Sequence, residues 1–366
     1  MRLLFVSYSP IAMDVTLPER EPLGGSESCI AYLSRALAQG GHDVTFAARL
    51  PPQTPAQVKQ VRHIPLTALD DRHFFANSDF DAVIALSAPA AAEHLKRAAP
   101  KAFHVAWLHL LPGQSAMAPL AAMTRHIDCA VFVSNTQRAM TAYGGPAQVI
   151  GNGIAPAFEN MFASAQDLQA AKQNRAAYTS MPYRGLHLLV DVVGQMRGDT
   201  GFEIYSAMQT YREPDDKFAP LYAAVKNAPR TRYHGALAQP VLAKEIRSAA
   251  FLAYPCAFVE TYCIAALEAI AAGMKVVSTD LGALKETTLG FADLLPLSAD
   301  MSDEVVVTAY RALLEKNVAQ FLADPQSWAL QRFEQSRAVT KACSWQTRAT
   351  QWEALLEPAI AARRGA

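Results

Sequence analysis

Short apolar runs at residues 2–8, 43–48, 80–87, 103–110 and 129–134 have the length of strands buried on both faces. Segments with helical spacing fall between them, near 28–38, 90–98 and 135–143. The alternation resumes in the second half, with strands expected at 202–207, 231–234, 249–254 and 275–278 and helices at 215–227, 239–247 and 261–272. Strands that alternate with helices predict parallel sheets wound with helices, the α/β class. From residue 302 the chain reads as helical, and its last segment, 345–362, carries Trp345, Trp352, Leu355 and Leu356. No internal repeat or low-complexity tract interrupts this order.

A length of 366 residues suggests about two domains. The polar, Pro-containing stretch 155–175 suits a connection between them, placing the first domain at 1–170 and the second at 171–340. Hydrophobic residues make up 51% and charged residues 18%, which excludes a disordered chain and fits buried parallel strands. Lys+Arg and Asp+Glu are equal at 33 each, so there is no basic excess to neutralise phosphates, and nucleic acid is not an expected partner. Cys29, Cys129, Cys256, Cys263 and Cys343 form no C-x-x-C pair and no zinc spacing, and read as buried thiols of a reducing compartment. The opening MRLLFVSYSP lacks a signal-peptide pattern, and no apolar run reaches the roughly 18 residues of a membrane span. The expected location is cytoplasmic.

Candidate chemistry concentrates in residues 254–277, YPCAFVETYCIAALEAIAAGMKVV. A strand leads into a helix expected over 261–272, with Thr261 able to cap it and Gly273 ending it. Ile264, Ala265, Ala266, Leu267, Ala269, Ile270, Ala271 and Ala272 surround one carboxylate, Glu268, and a helix apolar all round is a buried helix. An ionised carboxylate there costs several kcal/mol unless it is paired, so a permanent partner or a ligand is expected. Glu260 lies at the other end, roughly 12 Å away at about 1.5 Å per residue. Between the two, the amides of Tyr262, Cys263 and Ile264 would form a helix N-terminus that favours an anion. A carboxylate, an anion hole and a second carboxylate match the order of a sugar diphosphonucleoside: sugar hydroxyls, pyrophosphate, ribose hydroxyls.

Elsewhere, Gly24-Gly25 follows the first strand and precedes a helix, an arrangement that lets backbone amides approach a phosphate or a sugar. His109 ends the strand FHVAWLHL, at the sheet edge where ligands of α/β proteins bind, whereas His104, inside the strand, reads as structural. No G-x-G-x-x-G follows the first strand, which disfavours a nicotinamide enzyme. Asp79-Phe80-Asp81 spells a D-x-D, but at a strand entrance where Asp commonly makes the turn, and no metal site is expected.

Glu260 and Glu268, with Ala269, Gly273 and the strand at 275–278, resemble the signature of the family-4 retaining glycosyltransferases. That family has the GT-B fold, two doubly wound Rossmann-like domains facing across a cleft. The resemblance implies that Glu268 grips the donor ribose, that Arg184 and the amides at Tyr262, Cys263 and Ile264 hold the diphosphate, and that Glu260 and His109 face the transferred sugar. It further implies that Gly24 and Gly25 form the glycine loop, that Gly235, in His234-Gly235-Ala236-Leu237, meets the nucleobase through backbone, and that residues 341–366 cross back onto the first domain. Residues 152–154, Asn-Gly-Ile, resemble the turn that ends the family's first domain, and residues 280–286 its loop after the signature helix. Thr179-Ser180 stands where the family has a further arginine, and no Gly-rich segment follows Glu286.

The implied donor is a UDP-, GDP- or ADP-sugar, with no cofactor and no metal. The implied acceptor is a glycan, a glycolipid or a small molecule; a glycolipid would require peripheral membrane contact at the inner face. Two other readings stay open: a sugar-nucleotide epimerase on the same fold, and a catalytically silent nucleotide-sugar-binding subunit.

Overall fold

The computed structural model describes residues 1–76 and 78–365. The chain divides into two compact units: Met1–Gly153 together with the chain from Trp345, and Ile154–Ser344.

The first unit is built on β1 (Arg2–Ser7), β2 (Asp43–Ala48), β3 (Gln57–Val58), β4 (Val61–Pro65), β5 (Ala82–Leu86), β6 (Phe103–Leu108), β7 (Cys129–Phe132) and β8 (Ala147–Val149), in the order β3-β4-β2-β1-β5-β6-β7-β8. Every neighbouring pair is parallel except β3 with β4. In register, Phe5 sits between Phe46 and Ile84, all three fully buried, as expected of a sheet covered on both faces. Leu4, Val6, Val83 and Ala85 pack with Leu69, Phe80 and Leu95 to form one part of the core.

The second unit contains β9 (Gln173–Tyr178), β10 (Gly201–Ile204), β11 (Thr231–Tyr233), β12 (Ala249–Tyr254), β13 (Lys275–Thr279) and β14 (Asp293–Leu295), in the order β11-β10-β9-β12-β13-β14 and parallel throughout. In both units the chain winds outward from its first strand and then returns to that strand's other side. The strand order therefore reverses between β1 and β5 and between β9 and β12. Ligands of open α/β sheets bind outside the carboxyl ends of the strands at such a reversal.

Five strands, β3, β4, β8, β9 and β14, lie where the apolar pattern predicts none. VRHIP at β4 and DLL at β14 are short and half-polar, and β9 opens with the polar QNR, only Ala176, Ala177 and Tyr178 being fully buried. The two-residue β3 is a short antiparallel return onto β4. Residues 154–170, assigned to the first domain from composition, lie with the second unit. Leu168 is fully buried there, and the Ala155 amide is bonded to Glu268.

The helical tail is three helices, Asp303–Ala323, Pro325–Cys343 and Trp345–Arg364. Ser302 caps the first through a bond from the Val305 amide. The last belongs to the first unit from Trp345 onward, not from residue 341. Trp345 stacks on Tyr32 at 6.3 Å, Trp352 meets Trp107 edge-on at 5.1 Å, and Arg348 Nε donates to the Asn152 carbonyl at 3.0 Å. Asp79 and Asp81, the D-x-D pair, are taken up by Arg2 and Arg364 at 3.0 and 2.6 Å. No described helix is long and apolar enough to cross a membrane.

Candidate active site

Two turns meet beyond the carboxyl ends of β9 and β12, the strands that flank the reversal in the second unit. The turn after β9 carries Arg184, and the loop after β12 carries residues 255–260. Glycine makes their close approach feasible. A Cβ on Gly185, at φ +106°, would stand 1.9 Å from the Pro255 carbonyl oxygen. On the far side, Gly282 at φ +62° lies against Glu260, where a Cβ would come within 2.3 Å of the Glu260 carbonyl oxygen. The loop's own carbonyls are satisfied from β13: Ser278 Oγ donates to the Tyr254 carbonyl at 2.6 Å and Thr279 Oγ1 to the Cys256 carbonyl at 2.7 Å.

This packing buries the Glu260 side chain to 3% exposure. Arg184 Nη1 donates to Glu260 Oε1 at 2.6 Å, and the Tyr254 hydroxyl donates to the same oxygen at 2.5 Å. No described residue bonds Oε2. The guanidinium stacks over Phe258 at 4.5 Å and Tyr183 at 5.7 Å, and its Nε is buried with no hydrogen-bond partner among the described residues. Burial works against the Arg184 charge, but Glu260 leads a group of neighbours that outweighs burial and raises its pKa. The resemblance gave Arg184 and Glu260 separate ligand contacts; in the folded chain they are first partners of each other. Ser180, where a further arginine was expected, donates to the Tyr254 hydroxyl at 3.3 Å and so supports this cluster without adding charge.

The helix that follows runs Ile264–Ala271 and begins at Ile264 rather than at 261. Cys263 occupies the N-cap in left-handed backbone, φ 71° and ψ 74°, a conformation that costs a non-glycine residue about 1–2 kcal/mol. Thr261, the expected cap, lies two residues ahead of the N-cap. The outward-pointing amides of the first turn are therefore those of Ile264, Ala265 and Ala266, while Tyr262 and Cys263 precede the helix. Glu260 lies outside the helix, paired instead in a parallel bridge with Gly282, so helical rise does not measure its distance from Glu268.

Glu268 is buried on this helix, and its partners are neutral. The Ala155 amide donates to Oε1 at 3.0 Å and Gln239 Nε2 donates to the same atom at 3.2 Å. Burial pushes its pKa up to about 8, the Ala155 bond opposing the rise. Gln239 and Tyr254 were not singled out from the sequence. Tyr254 was visible only as the last apolar letter of a strand, and Gln239, 29 positions from Glu268, left no local signal. Gly235, at φ +73°, follows β11; beside it His234 stacks on Tyr205 at 4.6 Å and pairs with Glu203 at 2.7 Å.

In the first unit, His109 directly follows β6. Its amide donates to Ser87 Oγ at 3.0 Å and its ring lies edge-on to Trp107 at 4.7 Å. Burial pushes its pKa down to about 3, so the imidazole is neutral at pH 7. Gly24 is the N-cap of the helix Gly25–Gln39, which starts ahead of the expected residue 28. Its first turn holds Glu27, which accepts a bond from Ser9 Oγ at 2.9 Å. His104 Nε2 donates to the Ala99 carbonyl, 2.8 Å away, inside the fold.

A caged cation, a carboxylate with one oxygen still open, and a second carboxyl behind a helix N-terminus suit a ligand that is anionic in its middle and hydroxylated at its ends. The pair of wound parallel sheets matches the GT-B fold of glycosyltransferases. Residues 23–158 match Glycosyltransferase Family 4 and residues 176–324 match Glycosyl transferases group 1. The chain belongs to the family-4 glycosyltransferases, a retaining and metal-independent family.

Solved structures share its fold. Sucrose-phosphate synthase from Thermosynechococcus elongatus is 17% identical over 99% of both chains, with a TM-score of 0.73. Anabaena HepE in complex with UDP-glucose is 15% identical over 98% of this chain and 100% of its own, with a TM-score of 0.67. WaaG, a glycosyltransferase involved in lipopolysaccharide biosynthesis, is 13% identical over 97% and 99%, with a TM-score of 0.66. At these identities the likeness concerns the fold alone. No curated protein matches the chain by sequence.

Proposed function

We propose that the chain moves a sugar from a nucleoside diphosphate sugar to a hydroxyl of a glycan or glycolipid acceptor, with the second unit holding the donor. The observation that carries this reading is the Arg184–Glu260–Tyr254 cluster at the mouth of the helix that bears Glu268. The donor diphosphate competes with Glu260 for Arg184, whose unused Nε is a ready donor to a phosphate oxygen. The amides of Ile264, Ala265 and Ala266 add an uncharged anion site. Glu268 takes the ribose hydroxyls, and Glu260, freed at Oε1, turns to the hydroxyls of the sugar. His109, neutral and at the edge of its sheet, suits a sugar hydroxyl better than a phosphate.

Transfer with retention breaks the bond from the anomeric carbon to the diphosphate oxygen and forms the bond to the acceptor oxygen on the same face. The acceptor proton passes to the departing phosphate, and electrostatic stabilisation of that leaving group is the largest contribution of the protein. HepE, solved with UDP-glucose, supports a uridine donor, and WaaG supports a lipopolysaccharide-type acceptor.

The test is incubation with UDP-, GDP- and ADP-sugars, with and without candidate acceptors. Release of nucleoside diphosphate that depends on acceptor, with a glycosylated product, is the expected result. An isomerised donor would instead identify an epimerase, and donor binding without turnover a silent subunit.

A further inference from the structure

Both hydrogen bonds to Glu268 converge on one oxygen. The Ala155 amide and Gln239 Nε2 reach Oε1, at 3.0 and 3.2 Å, and no described residue bonds Oε2. The terminal torsion of a glutamate is broad and roughly two-fold, so a carboxylate without such anchors would exchange its two oxygens freely. Here two donors on the same atom hold the plane of a group that is itself buried. Any proton that Glu268 takes up must sit on Oε2. The atom left to face a ligand is thus selected by two contacts: a backbone amide, and the side chain of Gln239, the first residue of the helix Gln239–Ile246.

We propose that Gln239 is a positioning residue: by holding Oε1 of Glu268 it aims Oε2 at the ribose hydroxyls of the donor and sets a preference for ribonucleotides over deoxyribonucleotides. This rests on the reading of Glu268 as the ribose ligand. A carboxyl group held in one orientation meets a hydroxyl at one defined place. Released from Gln239, it can turn toward solvent or toward Ala155 alone, and the hydroxyl contact loses its geometry.

Calorimetric titration tests this with whichever of UDP, GDP and ADP binds most tightly, and with its 2′-deoxy and 3′-deoxy analogues. The proteins are the wild type, Gln239→Met, which keeps length but cannot donate, and Gln239→Glu, which keeps length and presents an acceptor. The wild type is expected to lose roughly 10-fold or more in affinity for at least one deoxy analogue. Both variants should bring that ratio below about 3-fold by weakening the ribonucleotide while leaving the deoxy analogue unchanged. A merely structural role would weaken all three ligands together.

Parallel weakening, or a wild-type ratio retained in Gln239→Met with an unaltered melting temperature, overturns the assignment. Failure of the wild type to bind any of the three diphosphates, or unchanged affinity in Glu268→Ala, overturns the ribose reading itself and the role of Gln239 with it.

Discussion

The two sheets reverse their strand order in the same way, yet the edges at those reversals are furnished differently. In the second unit the turns after β9 and β12 carry opposite charges, a half-buried Arg184 and a buried Glu260, joined at 2.6 Å. In the first unit the corresponding edge offers a neutral imidazole, the Ser87 hydroxyl, and a glycine turn whose helix starts beside Glu27. Topology places a turn, and side chains decide what the turn can hold. Arg184 is the cation paired with a buried carboxylate at these edges, which supports the proposal that the second unit recognises the diphosphate.

The two edges also store opposite titrations, and pH should separate them most widely. Glu268 rises from 4.5 to about 8, so between those values the folded chain keeps a proton that the unfolded chain has released, and stability falls as pH rises. At 1.36 kcal/mol per pKa unit the contribution approaches about 5 kcal/mol. His109 and His104 fall from 6.5 to about 3 and about 4, so the unfolded chain binds protons first, and stability is lost as pH drops below 6.5. Urea midpoints measured across pH should therefore lose their alkaline slope in Glu268→Gln and part of their acid slope in His109→Gln. An alkaline slope that survives in Glu268→Gln would show that the carboxyl is not held neutral.

Next in size is the contrast between Glu260 and Glu268. Glu260→Ala should lower kcat on the order of 100-fold, as expected for a preorganised group facing the reacting sugar. Because Glu260 restrains Arg184, its removal should leave affinity for the free diphosphate equal or improved. Loss of diphosphate binding in this variant would place Glu260 on the phosphate side. Glu268→Ala should do the reverse, weakening nucleoside diphosphate binding about 10-fold through loss of the carboxyl group that meets the ribose hydroxyls. Calorimetry with the free diphosphate and kinetics with the full donor read the two variants side by side.

The smallest effect is expected at Asp79. Its ion pair with Arg2 is exposed on both sides, so Asp79→Ala should change stability by no more than about 1 kcal/mol and turnover by less than about twofold. Excess chelator should leave turnover equally intact. Activity lost in chelator and restored by Mg²⁺ or Mn²⁺ would assign the diphosphate charge to a metal in place of Arg184.

Much of the architecture is legible in the chain because burial on both faces of a parallel strand writes itself as an apolar run, as at β1, β5 and β12. For the same reason Glu268 stands out as the single carboxylate of an apolar helix, and Trp345 and Trp352 mark a helix that must find a partner. Strands whose burial is partial, such as β4 and β9, leave no such run. The start of the signature helix is not legible because a cysteine in left-handed backbone at the N-cap has no compositional mark. Tertiary structure alone decided who meets whom. Arg184 and Glu260 are 76 residues apart and Ala155 and Glu268 are 113, and no local periodicity encodes contacts at that separation. Sequence determines which faces are apolar and which residues are chemically expensive to bury; only packing at the sheet reversal determines which donor each buried oxygen receives, and hence which oxygen remains for the ligand.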